Sequence, residues 1–512
     1  MQAHASSSAS QVVLVSGNRR CDASTLESNS RRAASALAST GIREDETIAL
    51  LMRNDFPWFE ATRAAGLLGI PTVPINWHLT PGEVAYILED CNARVLVVHA
   101  DLLSPDMISA CGAREIIAVP TPPEVADTYG VPAAQSAVPA NMRAWAAWIS
   151  EFPEYDTDAA RPVPPMFYTS GTTGQPKGVR RKGLPPEIAA DTLRRTRVAF
   201  GLEEAGVRAV MSGPLYHSAP NSYAMRVVAD GGLLVLQPRF DAAELLALIE
   251  RFRISHLHMV PTMFVRLLAL PEALRTAFDP SGLRHVCHGA APCPPEVKRR
   301  MIDWWGPVIH EYYAMTETGV ITTASSEGWL AHPGSVGAAA SGVTIRIVDA
   351  EGAECPVGTP GEILISSAAT PYFAYHRADA KTAAARRGDC IATGDVGYLD
   401  ADGYLYISDR KSDMVISGGV NIYPAEVEQQ LLKMIGVSDC AVFGIPDAEF
   451  GERLVAMIET QEELDEVVLR AALRAQLAGY KVPKELRFVR QLPREDTGKI
   501  RKRLLREEWL AR

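Results

Sequence analysis

The chain reads as an α/β protein: a large N-terminal unit of doubly wound sheets followed by a small α+β unit. Three observations predict this. Strand and helix patterns alternate over residues 12–98, as in βαβ units with a parallel sheet. Strand signals dominate residues 343–409. From Pro424 onward, helix and strand patterns resume over about 100 residues, within the usual size of an independent domain. A length of 512 residues is also too great for one simple core.

The elements follow in order. Residues 12–15 are a short apolar run and read as a strand, with a turn at Gly17-Asn18. Leu26, Ala33, Ala34, Leu37 and Ala38 recur at helical spacing, and Gly41 closes that helix. Strands are expected at 47–52, 72–75 and 94–98, with helices at 56–68 and 81–91 between them. Residues 120–165 are rich in Pro and Ala with only short apolar runs, so an irregular surface crossing is expected. Further strands are expected at 209–211, 233–236, 344–348, 362–366, 404–407 and 439–443, and helices at 241–252, 424–432 and 465–477.

Composition narrows the function classes. Hydrophobic content of 47% and charged content of 22% are those of a soluble globular protein. A net charge of −10 argues against non-specific nucleic-acid binding and against a basic membrane face. No apolar run approaches the roughly 20 residues of a membrane span, and no signal peptide is visible. The eight Cys show no Cys-x-x-Cys pair, which favours reduced thiols and a cytoplasmic setting over disulfides or zinc.

The chemistry concentrates around Tyr168-Thr-Ser-Gly-Thr-Thr-Gly-Gln-Pro-Lys-Gly-Val179. Three glycines, one Ser, three Thr and one Lys fall within twelve residues. Glycines let backbone N–H groups approach an anion, hydroxyls add donors, and Lys177 adds a mobile charge. The spacing is not that of a Walker A loop. A flexible loop without a ligand is the alternative. Arg180-Arg181-Lys182 follows, either steering a phosphate or forming a solvated basic turn. Five more segments stand out: Pro214-Leu-Tyr-His-Ser, His288-Gly-Ala-Ala-Pro, Glu311-Tyr-Tyr-Ala-Met-Thr-Glu, Thr393-Gly-Asp, and Asp409-Arg-Lys-Ser-Asp with Gly418-Gly419 beyond it. The chain closes on Pro493-Arg-Glu-Asp-Thr-Gly-Lys-Ile. His256, His258, Cys287 and His288 do not have the spacing of a zinc ligand set.

In this order, the segments resemble those of the adenylate-forming superfamily: acyl-CoA synthetases, stand-alone adenylation domains and beetle luciferases. The resemblance runs from about residue 12 to 504. It implies a distorted β-barrel over 343–409 that completes an N-terminal domain of residues 1–409. It also implies a mobile C-terminal domain of residues 410–512, with a hinge at 409–413 and Ser412 at the pivot. The implied activity has two half-reactions. A carboxylic acid, fatty or aryl, attacks the α-phosphate of ATP to give an acyl-adenylate and pyrophosphate. Coenzyme A then displaces AMP.

The resemblance assigns roles residue by residue. Thr169, Ser170, Gly171, Thr172, Thr173, Gly174 and Lys177 would hold the phosphates. Gly289, Ala290 and Ala291 would line the adenine, with Tyr313 stacking on it. Asp395 would accept from the ribose hydroxyls, and Arg410 would reach the ribose or phosphate. Thr316 would contact the α-phosphate, and Glu317, with Thr172, would hold Mg²⁺. Lys499 would bridge the carboxylate and α-phosphate. Gly418 and Gly419 would pass close to the pantetheine arm of CoA. His217 would sit at the carboxylate. Amino-acid-activating relatives carry Asp there, which would pair with a substrate ammonium and repel a plain carboxylate. Residues 221–228 would line the acyl pocket. One departure is Ala314, where Gly is usual in the family.

The expected cofactors are therefore ATP, Mg²⁺ and coenzyme A, with a small carboxylic acid as partner substrate. No nucleic acid and no integral membrane segment are expected, and a homodimer is compatible with the sequence. Other readings that share the ATP motifs are a stand-alone enzyme loading a carrier protein, a luciferase-like oxygenase, and an inactive nucleotide-binding relative.

Overall fold

The computed structural model describes residues 11–157, 163–169, 176–181, 183–410, 413–417, 420–447, 449–494 and 500–511. Its largest sheet has nine strands. Six of them run parallel, in the order Ile309–Met315, His285–His288, His256–Met259, Arg208–Met211, Leu233–Leu236, Val12–Ser16. The strand Leu233–Leu236 is buried throughout, as expected for a strand covered on both faces. Helix Ser218–Ala229 crosses one face, and helices Ala242–Phe252, Pro261–Leu268 and Pro295–Trp305 pack on the other. A second sheet is wholly parallel and includes Thr47–Leu51, Thr72–Pro74, Ala93–His99 and Glu115–Val119. Helices Ala23–Ser39 and Phe56–Leu68 lie between the two sheets in one shared core.

The expected elements form with few shifts. Asp22 caps the first helix by accepting from the Thr25 backbone. Thr80 and Glu83 form a capping box at helix Pro81–Asp90. The expected irregular crossing at 120–165 is instead partly regular. Helices form at Pro123–Tyr129, Ala133–Ser136 and Trp145–Ser150, and Arg143–Ala144 joins the parallel sheet. The cause is Trp145 and Trp148, which bury their rings in the shared core. The indole of Trp145 donates to Glu60 Oε2 at 2.6 Å.

Residues 343–410 form an antiparallel sheet that includes Val343–Val348, Gly361–Ser367, Cys390–Leu399 and Leu405–Arg410. A three-stranded sheet of Phe167–Thr169, Lys177–Arg181 and Phe373–Tyr375 shares its core through Val179 and Phe373. Beyond it, Val415–Trp509 contains a five-stranded sheet with its own hydrophobic clusters. Ser412 lies outside the described residues. Among the described residues no helix is long and apolar enough to cross a membrane. All eight cysteines are free.

Asp409 joins the barrel strand to the C-terminal lobe. Its carboxylate accepts from the backbone N–H of Arg410 at 2.7 Å and of Ala425, in the first turn of helix Pro424–Leu431, at 2.9 Å. Burial pushes this carboxyl up to about 6, and Lys502 offsets part of the rise. An unfolded Asp titrates near pH 3.9. Between about pH 4 and 6 the native state therefore holds a proton that the unfolded chain has lost, and stability falls as pH rises across that window. The variant Asp409→Asn is expected to lose most of that fall relative to the parent. Thermal unfolding of both proteins from pH 4 to 7 checks it; parallel curves refute it.

Candidate active site

The order of the parallel strands reverses at Arg208–Met211. The chain leaves this strand by a helix on one face and returns past it by a helix on the other. In doubly wound sheets such a reversal opens a crevice at the carboxyl ends of the strands. The sequence-identified segments follow those ends. Pro214–His217 comes after Arg208–Met211, Gly289–Ala291 after His285–His288, and Thr316–Glu317 after Ile309–Met315.

The hairpin Ile309–Met315 / Gly319–Ala324 supplies three of these residues. Tyr313 donates its hydroxyl to Asp395 Oδ2. Burial and the Asp395 carboxylate raise that phenol far above its ordinary value. Asp395 pairs in register with Arg410, whose Nε lies 3.7 Å from Oδ1. Asp395 sits in the long strand Cys390–Leu399, where the ladder to Gly361–Ser367 slips and Gly394 takes φ +79°. This bulge turns the carboxylate toward Tyr313.

A second group gathers the charges. Tyr375 donates to Glu317 Oε1 at 2.9 Å, and Lys177 Nζ stands 5.2 Å from the centre of the Tyr375 ring. Burial lowers the Lys177 ammonium, Lys381 lowers it further, and Glu317 offsets part of this. Thr169 pairs with Lys177 across the loop. Thr316 Oγ1 lies 3.2 Å from Ser218 Oγ, at the start of the helix that His217 precedes. Arg181 is not part of a solvated turn. Its Nη2 donates to the Thr316 carbonyl at 2.8 Å. Sequence reasoning missed Tyr375 and these contacts of Ser218 and Arg181, because each joins segments distant in the sequence.

The turn Gly289–Ala291 is tightly fitted. A Cβ on Gly289 would stand 2.8 Å from the Tyr312 carbonyl oxygen, so only Gly fits. Ala290 takes φ +72°, an uncommon conformation for a residue with a Cβ. Ala314 lies where the ladder to Gly319–Ala324 shifts, and its methyl packs against the shared core. The extra methyl relative to Gly is thus accommodated. His258 is buried and bonded to Tyr312 Oη at 2.8 Å, and burial lowers it to about 4. Among the described residues no group of His, Cys, Asp and Glu could hold a metal by itself. Ser170, Gly171, Thr172, Thr173, Gly174, Gly418, Gly419 and Lys499 lie outside the described residues.

A family model described as AMP-binding enzyme matches residues 1–371, and one described as AMP-binding enzyme C-terminal domain matches residues 426–499. The chain belongs to the AMP-binding enzyme family. It is 32% identical to a feruloyl-CoA synthase of Amycolatopsis over 494 residues, covering 93% of this chain and 92% of that relative. It is also 32% identical to a long-chain-fatty-acid–CoA ligase of Mycobacterium tuberculosis, covering 94% and 91%. Among solved structures, an o-succinylbenzoate CoA synthetase of Bacillus subtilis, in complex with its acyl-adenylate intermediate, superposes with a TM-score of 0.80 at 26% identity. That match covers 98% of this chain and 95% of the other.

Tyr375 links the carboxylate of Glu317 to the neighbourhood of Lys177. Tyr375→Phe is expected to lower pyrophosphate exchange by about tenfold, the loss of one hydrogen bond to a charged group. The unfolding midpoint should change little. Unchanged exchange would refute the role.

Proposed function

We propose that this protein activates a carboxylic acid with ATP to an acyl-adenylate and then transfers the acyl group to coenzyme A, releasing pyrophosphate and AMP. The observation that carries the reading is that two contact sets are joined through the hairpin Ile309–Met315 / Gly319–Ala324: Tyr313 with Asp395 and Arg410, and Glu317 with Tyr375 and Lys177. A carboxylate with two oxygens suits the two hydroxyls of a ribose. Cations beside hydroxyl donors suit a polyphosphate. The named activities of the relatives, feruloyl-CoA synthase and long-chain-fatty-acid–CoA ligase, support an aryl or fatty acid and CoA as acceptor.

The first half-reaction brings two anions together. The protein must place positive charge and donors where negative charge builds. Lys177 and the loop 169–174 would hold the phosphates, and Thr316 the α-phosphate. Lys499 would be placed between carboxylate and phosphate, while His217 and Ser218 face the acid. Glu317 is a carboxylate oriented by Tyr375, a donor set that fits a hard cation completed by phosphate oxygens. Mg²⁺ there would neutralise charge on the leaving pyrophosphate. No protein nucleophile is required, because the mixed anhydride is already activated.

For the second half-reaction the C-terminal lobe would rotate about 409–413, withdrawing Lys499 and bringing Gly418 and Gly419 to the thiol. The contact that Asp409 makes with Ala425 is one described link between the two parts.

Lys499→Ala is expected to lower adenylation by about 10²–10³, as for loss of one stabilising donor. Thioester formation from supplied acyl-adenylate should be nearly unchanged. Mass spectrometry of both half-reactions reads the outcome; equal loss in both refutes this division of labour.

A further inference from the structure

The chain leaves strand Arg208–Met211 through the turn 212–217 before helix Ser218–Ala229 begins. This turn carries His217 and ends on Ser218, so its backbone decides where both side chains stand. Within the turn, the His217 N–H donates to the Pro214 carbonyl at 3.2 Å, and the Asn221 N–H donates to the His217 carbonyl at 3.0 Å. Its other anchors come from outside. Asn54 Nδ2 donates to the Gly213 carbonyl, and Asn54 Oδ1 accepts from the Leu215 N–H, both at 2.9 Å. From the helix side, Asn221 Nδ2 donates to the Leu215 carbonyl at 3.0 Å. On the strand side, Ser212 Oγ donates to Gln237 Oε1 at 2.5 Å. Asn54, Asn221 and Leu215 are all buried, so water does not readily replace these bonds.

Asn54 is itself fixed from both flanks. It lies beyond the carboxyl end of strand Thr47–Leu51 in the second sheet, just before helix Phe56–Leu68. Arg53 pairs with Asp101 at 2.7 Å, and its backbone N–H donates to His99 Nδ1 at 3.2 Å. Asp55 accepts from the Phe56 N–H and from Arg19 Nη2, each at 2.7 Å, and lies 3.3 Å from His99 Nε2. A primary amide on so constrained a backbone ties the second sheet to the turn of the first. One side chain supplies both the donor and the acceptor that two peptide groups of the turn require. Opposite the turn, Ser218 Oγ stands 3.2 Å from Thr316 Oγ1. The height of the turn therefore sets how His217 and Ser218 face Thr316. Misplacing reacting groups by about 1 Å, from a site remote from the chemistry, can cost about 10²-fold in rate.

We infer that Asn54 is a positioning residue for acid activation: it acts through the backbone of Gly213 and Leu215 to hold His217 and Ser218 opposite Thr316. This rests on the proposed acid-activating function, which puts the reacting carboxylate at His217–Ser218. Asn54 touches neither substrate in this reading, and its effect falls on the acid more than on the nucleotide.

Asn54→Ala removes both bonds and leaves a buried carbonyl and a buried N–H to be satisfied. Hydrogen-exchange mass spectrometry reads the turn without turnover. Amides of residues 213–217 should exchange at least about tenfold faster, while helix Phe56–Leu68 and strand Leu233–Leu236 keep their protection. Pyrophosphate release with ferulate and with palmitate reads adenylation. The KM for the acid should rise about tenfold, and the KM for ATP should change by under about twofold. Loss of folded enzyme lowers kcat and moves neither KM, so the selective rise marks positioning. Asn54→Asp has the same shape, keeps the acceptor for Leu215 and loses the donor to Gly213. It should give a smaller rise in the same parameter, and it takes over the test if Asn54→Ala does not fold. An unchanged acid KM in a folded variant, or an equal rise in the KM for ATP, overturns the inference. Failure of both variants to fold also overturns it, since the amide then serves the fold itself. Faster exchange of the turn in Asn54→Ala, with no pyrophosphate release from either acid in the parent, would sink the acid-activating function and leave the tether standing.

Discussion

A buried ion pair fixes the strand on which the site is built. Lys298 Nζ lies 2.7 Å from Glu311 Oε2, with Lys298 fully buried and Glu311 nearly so. Lys298 also stands 4.8 Å from the centre of the Trp329 ring. Burial pushes the Glu311 carboxyl up, and Lys298 pulls it back. Such a pair contributes little net stability, but losing one partner leaves a buried charge and costs about 3–5 kcal/mol. Its value here is positional. Glu311 and Tyr313 are two apart on one strand, so they project from the same face. Holding the first side chain against helix Pro295–Trp305 sets the height and register of the second. Thr316 and Glu317 follow within the same hairpin, and Tyr375, Ser218 and Arg181 each bond to that hairpin.

From this strand outward, polar contacts are made between distant parts of the chain. Tyr313 reaches Asp395, and Tyr375 reaches Glu317. The candidate site is thus assembled from the large sheet and the barrel together. Neither sheet alone carries both Asp395 and Thr316–Glu317. The shared core of Val179, Ile321, Phe373 and Ile391 holds the two pieces at fixed separation. Rigid elements carrying the contacting groups are what precise ligand positioning requires.

Much of this architecture was legible in the sequence because its signals are local. The helix Phe56–Leu68 and the strand Leu233–Leu236 appear with the expected bounds. Asp55 at a helix start and Gly69 at its end, in a left-handed conformation, leave little choice. The motif residues His217, Gly289, Tyr313, Thr316, Glu317 and Asp395 were legible as types in a fixed order. Their partners were not. Tyr375 is one of 15 tyrosines, in a stretch with no motif, and only the pairing of Phe373–Tyr375 with Lys177–Arg181 brings it to Glu317. Trp145 was hidden by a Pro- and Ala-rich context whose composition suggested a loop. The bulge that carries Asp395 was not legible either, because a bulge depends on the register of the neighbouring strand.

The site also departs from what stability alone would select. Ala290 holds a left-handed conformation that costs a residue with a Cβ on the order of 1 kcal/mol. Arg195 and Arg226 are lowered by burial, and Asp191 and Asp230 offset only part of that cost. Lys177 is depressed by burial and by a second lysine. The surrounding layers make such local costs tolerable. The parallel sheets bury continuous apolar strands on both faces, and the interlayer helices fill the space between them. A scaffold with that much apolar burial can retain groups that favour the unbound state poorly. An anion beside Lys177 would relieve part of that cost, which would favour anionic ligands over neutral ones of similar shape.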